Sequence, residues 1–149
     1  MRKSLTAAAS LAAVTLILSG CAQTHDDAEA SDLGTTFAYS LAGHDGKFCD
    51  HLDSSSEQSV DECKKSEAEM AAKQEADPQP IMWVPKIYQL IPGKEKVLGI
   101  VVEFNRAGNQ EFVVIEAIRR GDEYKILRWA YPDVADYKTD GAITNTFGW

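Results

Sequence analysis

Residues 97–120, VLGIVVEFNRAGNQEFVVIEAIRR, carry the strongest structural signal in the chain. Two apolar runs, Val97-Leu98-Gly99-Ile100-Val101-Val102 and Phe112-Val113-Val114-Ile115, flank Ala107-Gly108-Asn109. Branching at Cβ restricts rotamers in a helix but packs well on a pleated surface, and Gly with Asn supplies a chain reversal. The stretch therefore predicts two antiparallel strands, 97–105 and 110–119. Neither run alternates cleanly between apolar and polar, so both strands belong at the centre of a sheet. One face is expected against helices and the other to line a concavity.

Working outward, Gly121-Asp122 leads into a strand over 123–130, and a strand over 81–90 precedes Pro92-Gly93-Lys94. Short separators imply antiparallel neighbours. Pro85 has no N–H to give to a ladder, so the first strand is expected at an edge or with a bulge. The tail after Tyr131 is polar, with Tyr137, Ile143, Phe147 and Trp149 scattered through it, and is expected to add a strand or lie across the sheet. Upstream of residue 81 the periodicity is helical. Ser31 or Asp32 can cap a helix in which Leu33, Phe37 and Leu41 recur every four residues, and Gly43 suits its end. A short segment carries Phe48, Cys49 and Leu52. A further helix is predicted over 54–73, with Ser54 and Glu57 at capping-box spacing and Val60, Cys63, Glu67 and Met70 as its stripe. Glu67 interrupts that stripe, so partial burial is expected. The class is α+β: N-terminal helices packed on a twisted, cone-like antiparallel sheet of four to six strands.

The chain has 149 residues, 44% of them hydrophobic, enough for one domain with a real core. Its 23 acidic against 15 basic side chains give a net charge of −8. Phosphate recognition wants a positive field, so a nucleic-acid partner is not expected. Arg2 and Lys3 precede an uncharged, largely apolar run from Ser4 to Gly20, which predicts an export signal over 1–20; a retained membrane span is the competing reading. Leu18-Ser19-Gly20-Cys21 matches the lipobox of bacterial lipoproteins, in which the thiol takes a diacylglycerol as a thioether. Lipidation is therefore expected at Cys21, with the protein held to the cell membrane on its extracytoplasmic side. Processing there leaves 13 basic against 23 acidic side chains, net −10. Residues 21–32 read as the lipidated cysteine and an acidic tether, and 33–149 as the single domain. His25, beside Asp26 and Asp27, reads as a solvated tether residue.

Two thiols remain, Cys49 and Cys63. Export favours their joining as a disulfide. A metal pair with His44 or His51, or a reactive thiol, competes with that reading, although the spacing matches no zinc motif and no metal or other cofactor is expected.

The order of helices followed by antiparallel strands resembles the cystatin-like, nuclear-transport-factor-two-like superfamily, which includes ketosteroid isomerase. The stretch from Thr35 to Leu52, TTFAYSLAGHDGKFCDHL, with a second cysteine at Cys63, looks like small exported actinobacterial lipoproteins of that superfamily. Gly121-Asp122-Glu123-Tyr124-Lys125-Ile126 resembles its late strand, with Tyr124 in the place of a tryptophan. The resemblance implies a cone whose open end can hold an apolar ligand and, in the isomerase branch, a pocket aspartate that removes a proton beside a carbonyl.

The residues themselves offer little for that chemistry. Asp45, Asp50 and Asp122 fall at helix ends or turns. Glu103 and Glu116 fall within strands, where facing water is the expected role and a base of raised pKa the alternative. The sequence contains no nucleophile elbow, HExxH, phosphate-binding glycine loop or EF-hand loop. No catalytic residue is therefore assigned. The expected role is a non-catalytic interaction module docking on an envelope or membrane partner; the alternatives are a binder of a small apolar or lipid-like ligand in the cone and an isomerase-like enzyme. Candidate partner or ligand contacts are Trp83, Tyr88, Trp129, Tyr131 and Trp149, with Trp129 better suited to the core.

Overall fold

The computed structural model describes residues 25–76, 85–93, 96–132 and 141–149. Helix α1 (His25–Gly43) is followed by a 3-10 turn (Lys47–His51) and helix α2 (Val60–Ala76). Strands β1 (Lys86–Pro92), β2 (Val97–Arg106), β3 (Asn109–Arg120) and β4 (Glu123–Ala130) then form an antiparallel sheet in the order β1-β2-β3-β4, and helix α3 (Gly141–Phe147) closes the chain. The fold is α+β, with four strands among the described residues. Cys21, Trp83 and the signal segment lie outside those residues, as does the side chain of Tyr88.

The β2–β3 hairpin holds unbroken register from Val97↔Ile118 to Arg106↔Asn109. Its reversal needs only Ala107 and Gly108, both at positive φ (49° and 88°), the backbone of a two-residue turn whose twist matches the strands. Bulges shift the register in the outer strands. In β1 the shift falls between Ile87 and Gln89. In β4, Ile126 faces Ala117 and Arg128 faces Glu116, so Leu127 is the extra residue. That residue changes the phase of the strand: Ile126 and Trp129 both pack toward the N-terminal helices, and Arg128 is sent to the opposite face.

The helix-side face carries Ile100, Val102, Phe104, Val113, Ile115, Ala117 and Ile126, packed against Ala30, Leu33, Phe37, Ala38 and Leu41 of α1 and against Phe48, Cys49 and Leu52. α1 begins at His25, six residues before the expected cap at Ser31. The reason is in the packing: Ala30 extends the apolar stripe one turn back from Leu33 and is fully buried, and Glu29 lies 3.4 Å from Arg119 of β3. Part of the expected tether is therefore helix.

The opposite face is covered, where a concavity was expected. Val101, Phe112, Val114 and Ile143 form a second core cluster with Ile91, Ala130, Phe147 and Trp149 around it. Gly99 makes room for this layer, because a Cβ at that position would overlap the Ile143 side chain, coming within 2.8 Å of its Cγ1. The tail thus crosses the sheet and adds a short helix.

α2 starts at Val60, later than residue 54. Its capping box is Ser59 with Glu62: the Glu62 carboxylate accepts from Ser59 N (3.1 Å) and Ser59 Oγ (2.7 Å), and Glu62 N donates to Ser59 Oγ (3.3 Å). Upstream, Ser55 N and its hydroxyl donate to Asp53 Oδ1 and Ser56 N to the Asp53 carbonyl, a turn that precedes the helix.

The two-sided core makes Gly99 a sensitive position. Gly99→Ala is expected to cost about 1–3 kcal/mol in urea unfolding. In an Ile143→Ala background, itself less stable, the cost of Gly99→Ala should shrink; strictly additive losses would mean that Ile143 does not sit on Gly99.

Candidate interaction surface

The space between α1 and the sheet is filled by rings. Phe37 and Phe48 lie 4.7 Å apart, Phe48 and Trp129 5.0 Å, and Phe37 and Trp129 5.5 Å between centroids, tilted or edge-on as aromatic quadrupoles prefer. Phe37 and Phe48 are fully buried. Trp129 is half-buried and joins the core, so it is packing rather than contact surface.

The strand carboxylates face neither water nor the helix-side interior. Glu103 and Glu116 are both buried on the second face of the sheet. Gln110 Nε2 donates to Glu103 Oε1 (2.7 Å). Glu116 accepts from Arg128 Nε and from Trp149 Nε1 (2.9 Å). Arg128 also donates to the Phe147 carbonyl (3.1 Å) and lies 4.7 Å over the Phe147 ring. These contacts tie the C-terminal residues to the sheet and neutralise Glu116. Trp149, a candidate contact, is therefore half-buried and hydrogen-bonded.

Asp45 binds within its own turn: it accepts from Ser40 Oγ and Lys47 N, and Ser40 Oγ accepts from Phe48 N (3.0 Å). Burial pushes its carboxyl up, but hydrogen bonds from Lys47 and Ser40 outweigh this and leave it below the usual range. Asp50 pairs with Lys64 of α2 (2.6 Å). Asp122 lies exposed in the β3–β4 turn.

Cys49 and Cys63 are joined as a disulfide that closes a loop of 14 residues' separation. With the Asp50–Lys64 pair, the bridge is one of four ties on α2 among the described residues. His44 Nδ1 lies 3.0 Å from Glu67 Oε2, and Gln74 Nε2 donates to the Ala42 carbonyl (3.0 Å). Glu67, which interrupts the apolar stripe in sequence, is thus the buried contact, and Met70, assigned to that stripe, is 40% exposed. The described residues hold no group of three or more His, Cys, Asp or Glu placed to bind a metal.

Tyr131 is the candidate aromatic left on the surface, 52% exposed. Its hydroxyl accepts from Arg106 Nη2 (2.9 Å), and Arg106 also pairs with Glu111 (3.1 Å). Burial of the hydroxyl pushes its pKa above the phenolic value, against the opposing effect of Arg106. Two open grooves lie elsewhere. One of about 370 Å³ runs between the start of α1 and the β3–β4 turn, and one of about 520 Å³ is bounded by Val97, Phe147 and Trp149.

One part-buried ion pair had no signal in the sequence, because its partners are 67 residues apart. Arg120 donates to Asp53 through Nε (2.7 Å) and Nη2 (3.0 Å), and Asp53 N donates to the Ile126 carbonyl (2.8 Å). The loop before α2 is thereby fixed to the edge of β4. By contrast, Glu67 within an apolar stripe was a usable hint that a polar partner faced it.

Comparison with protein-family models, curated proteins and solved structures finds no match to this chain.

The Arg120 guanidinium, helped by Ser55 and opposed by burial, holds the Asp53 carboxyl well below the usual carboxylate range. A carboxyl depressed on folding stabilises the fold above its unfolded pKa of about 3.9, and that contribution is lost as pH falls through the lower folded value. Asp53→Asn should therefore cost roughly 1–2 kcal/mol at pH 7, a modest figure because Arg120 is half exposed and screened. Urea titrations should show the gap narrowing once pH drops below about 4; a gap independent of pH would remove Asp53 as its source.

Proposed function

We propose that the chain is an exported lipoprotein, anchored to the cell membrane by acyl chains on Cys21, whose α+β body is a non-catalytic interaction module docking on an envelope partner. The observation that carries this reading is the ring cluster of Phe37, Phe48 and Trp129, which occupies the space where a ligand or an isomerase substrate would sit. With that interior filled, recognition falls to the surface, where Tyr131, oriented by the largely buried Arg106, is an exposed aromatic. Glu103 and Glu116, the carboxylates best placed in sequence for base chemistry, are each engaged by a donor. The order of helices and strands supports kinship with the nuclear-transport-factor-two-like superfamily. A small apolar ligand keeps one foothold, the groove beside Phe147 and Trp149.

Two to three acyl chains suffice for stable anchoring without a basic patch, at about 0.8 kcal/mol per buried CH₂. This suits an acidic body. Cys21→Ala should leave the precursor unprocessed or release the protein from membranes; a processed chain still retained there would overturn the lipid anchor. Crosslinking in intact cells followed by mass spectrometry should recover an envelope protein, and Tyr131→Ala should reduce its yield. Recovery of a small lipid-like molecule alone would favour the ligand reading.

A further inference from the structure

The start of α1 bears on how the body sits relative to its anchor. Only Ala22, Gln23 and Thr24 separate Cys21 from His25, so the anchor lies at most about 14 Å from the first residue of the helix. One and a half turns later the helix is fixed to the sheet: Glu29 lies 3.4 Å from Arg119, and Ala30 is fully buried. Arg119 belongs to the end of the sheet formed by the β3–β4 turn, where its Nε donates to the Gly121 carbonyl (3.2 Å). Its backbone N–H donates to the Lys96 carbonyl (2.9 Å), which brings the β1–β2 connection to the same end. β3 has 12 residues and so spans about 35 Å. The β2–β3 turn, Ala107-Gly108, stands at its far end, and Arg106 next to that turn holds Tyr131.

We infer that the anchored protein stands on the membrane with the β3–β4 end facing the lipid headgroups and the β2–β3 turn and Tyr131 directed away. This rests on the reading that Cys21 carries the lipid. The partner of the near end is a lipid surface, and its reach is set by the length of chain between anchor and helix.

Charge decides between standing and lying. At the near end Asp32, Asp50, Asp122 and Glu123 are interspersed with Lys96, Arg119, Arg120 and Lys125, so this end is close to balanced in charge, unlike the body as a whole, and the covalent anchor holds it close. A body of net −10 lying flat would bring still more charge within the Debye length of about 8 Å. An upright posture keeps most of that charge out of the surface field.

The test uses the acylated protein, purified from its host and reconstituted in vesicles of phosphatidylcholine, alone or mixed with phosphatidylglycerol, carrying a paramagnetic headgroup lipid. Amide signals of Gly121–Tyr124 should be lost, and those of Ala107 and Gly108 retained. Insertion of about twenty Gly and Ser residues between Thr24 and His25 gives an r.m.s. reach of roughly 25 Å and should abolish the contrast. Equal broadening at both ends, or stronger broadening at the β2–β3 turn, would overturn the orientation. A contrast that survives the insertion would overturn the short tether as its cause. An N-terminal peptide whose mass lacks acyl chains would instead remove the lipid reading beneath it.

Discussion

The central pair of strands is apolar on both faces, and a sheet in water can leave neither uncovered. Ile100, Val102, Val113 and Ile115 point to one side, Val101 and Val114 to the other, and all six are fully buried. Burying one such side chain is worth about 1.5–3 kcal/mol, so Val101, Val114 and Ile143 together represent roughly 5–9 kcal/mol of gross burial. That is comparable to the whole net stability of an ordinary domain, about 5–15 kcal/mol. α1 covers the first face, and α3 with the C-terminal residues covers the second. The Leu127 bulge serves both faces, because it sends Trp129 into the ring cluster and Arg128 to Glu116.

α2 is attached by different means. Most of its surface is exposed, and its links among the described residues are a disulfide, the His44–Glu67 and Asp50–Lys64 pairs and the Gln74–Ala42 hydrogen bond. A disulfide closing a loop of this length is worth about 3 kcal/mol in the chain-entropy model. An element with few buried apolar contacts opens before the core does, so the covalent link matters most here. The Asp53–Arg120 pair performs a similar task for the preceding loop, holding it against β4 where Leu52 and Ile126 form a parallel bridge.

The same packing occupies both sides of the sheet. The interior on the helix side is occupied by aromatic rings, and the strand carboxylates on the other side are engaged by Gln110, Arg128 and Trp149. Tyr131 and Arg106 remain at the end opposite the start of α1. The start of α1 and the exposed Tyr131 thus lie at opposite ends of the sheet.

Much of the sheet could be read from local order. β2, β3 and β4 lie within a residue of their expected bounds, because strand propensity and turn chemistry act over a few neighbouring residues. The α+β class follows from the same local signals. Helix boundaries were less legible: α1 reaches back to His25, where Ala30 finds a buried site, and α2 starts at Val60 after a turn in which Asp53 binds Ser55 and Ser56. Pairings between distant residues had no local signature. Asp53 with Arg120, Glu116 with Trp149 and Gly99 under Ile143 depend on elements that meet only after folding. Composition and periodicity thus specify which segments form strands and helices, whereas the filling of the helix-side interior, the covering of the second face and the capture of Glu116 by Trp149 are long-range packing outcomes. Hydrophobic burial is non-directional, so the apolar pattern demands that both faces be covered without naming the side chains that cover them.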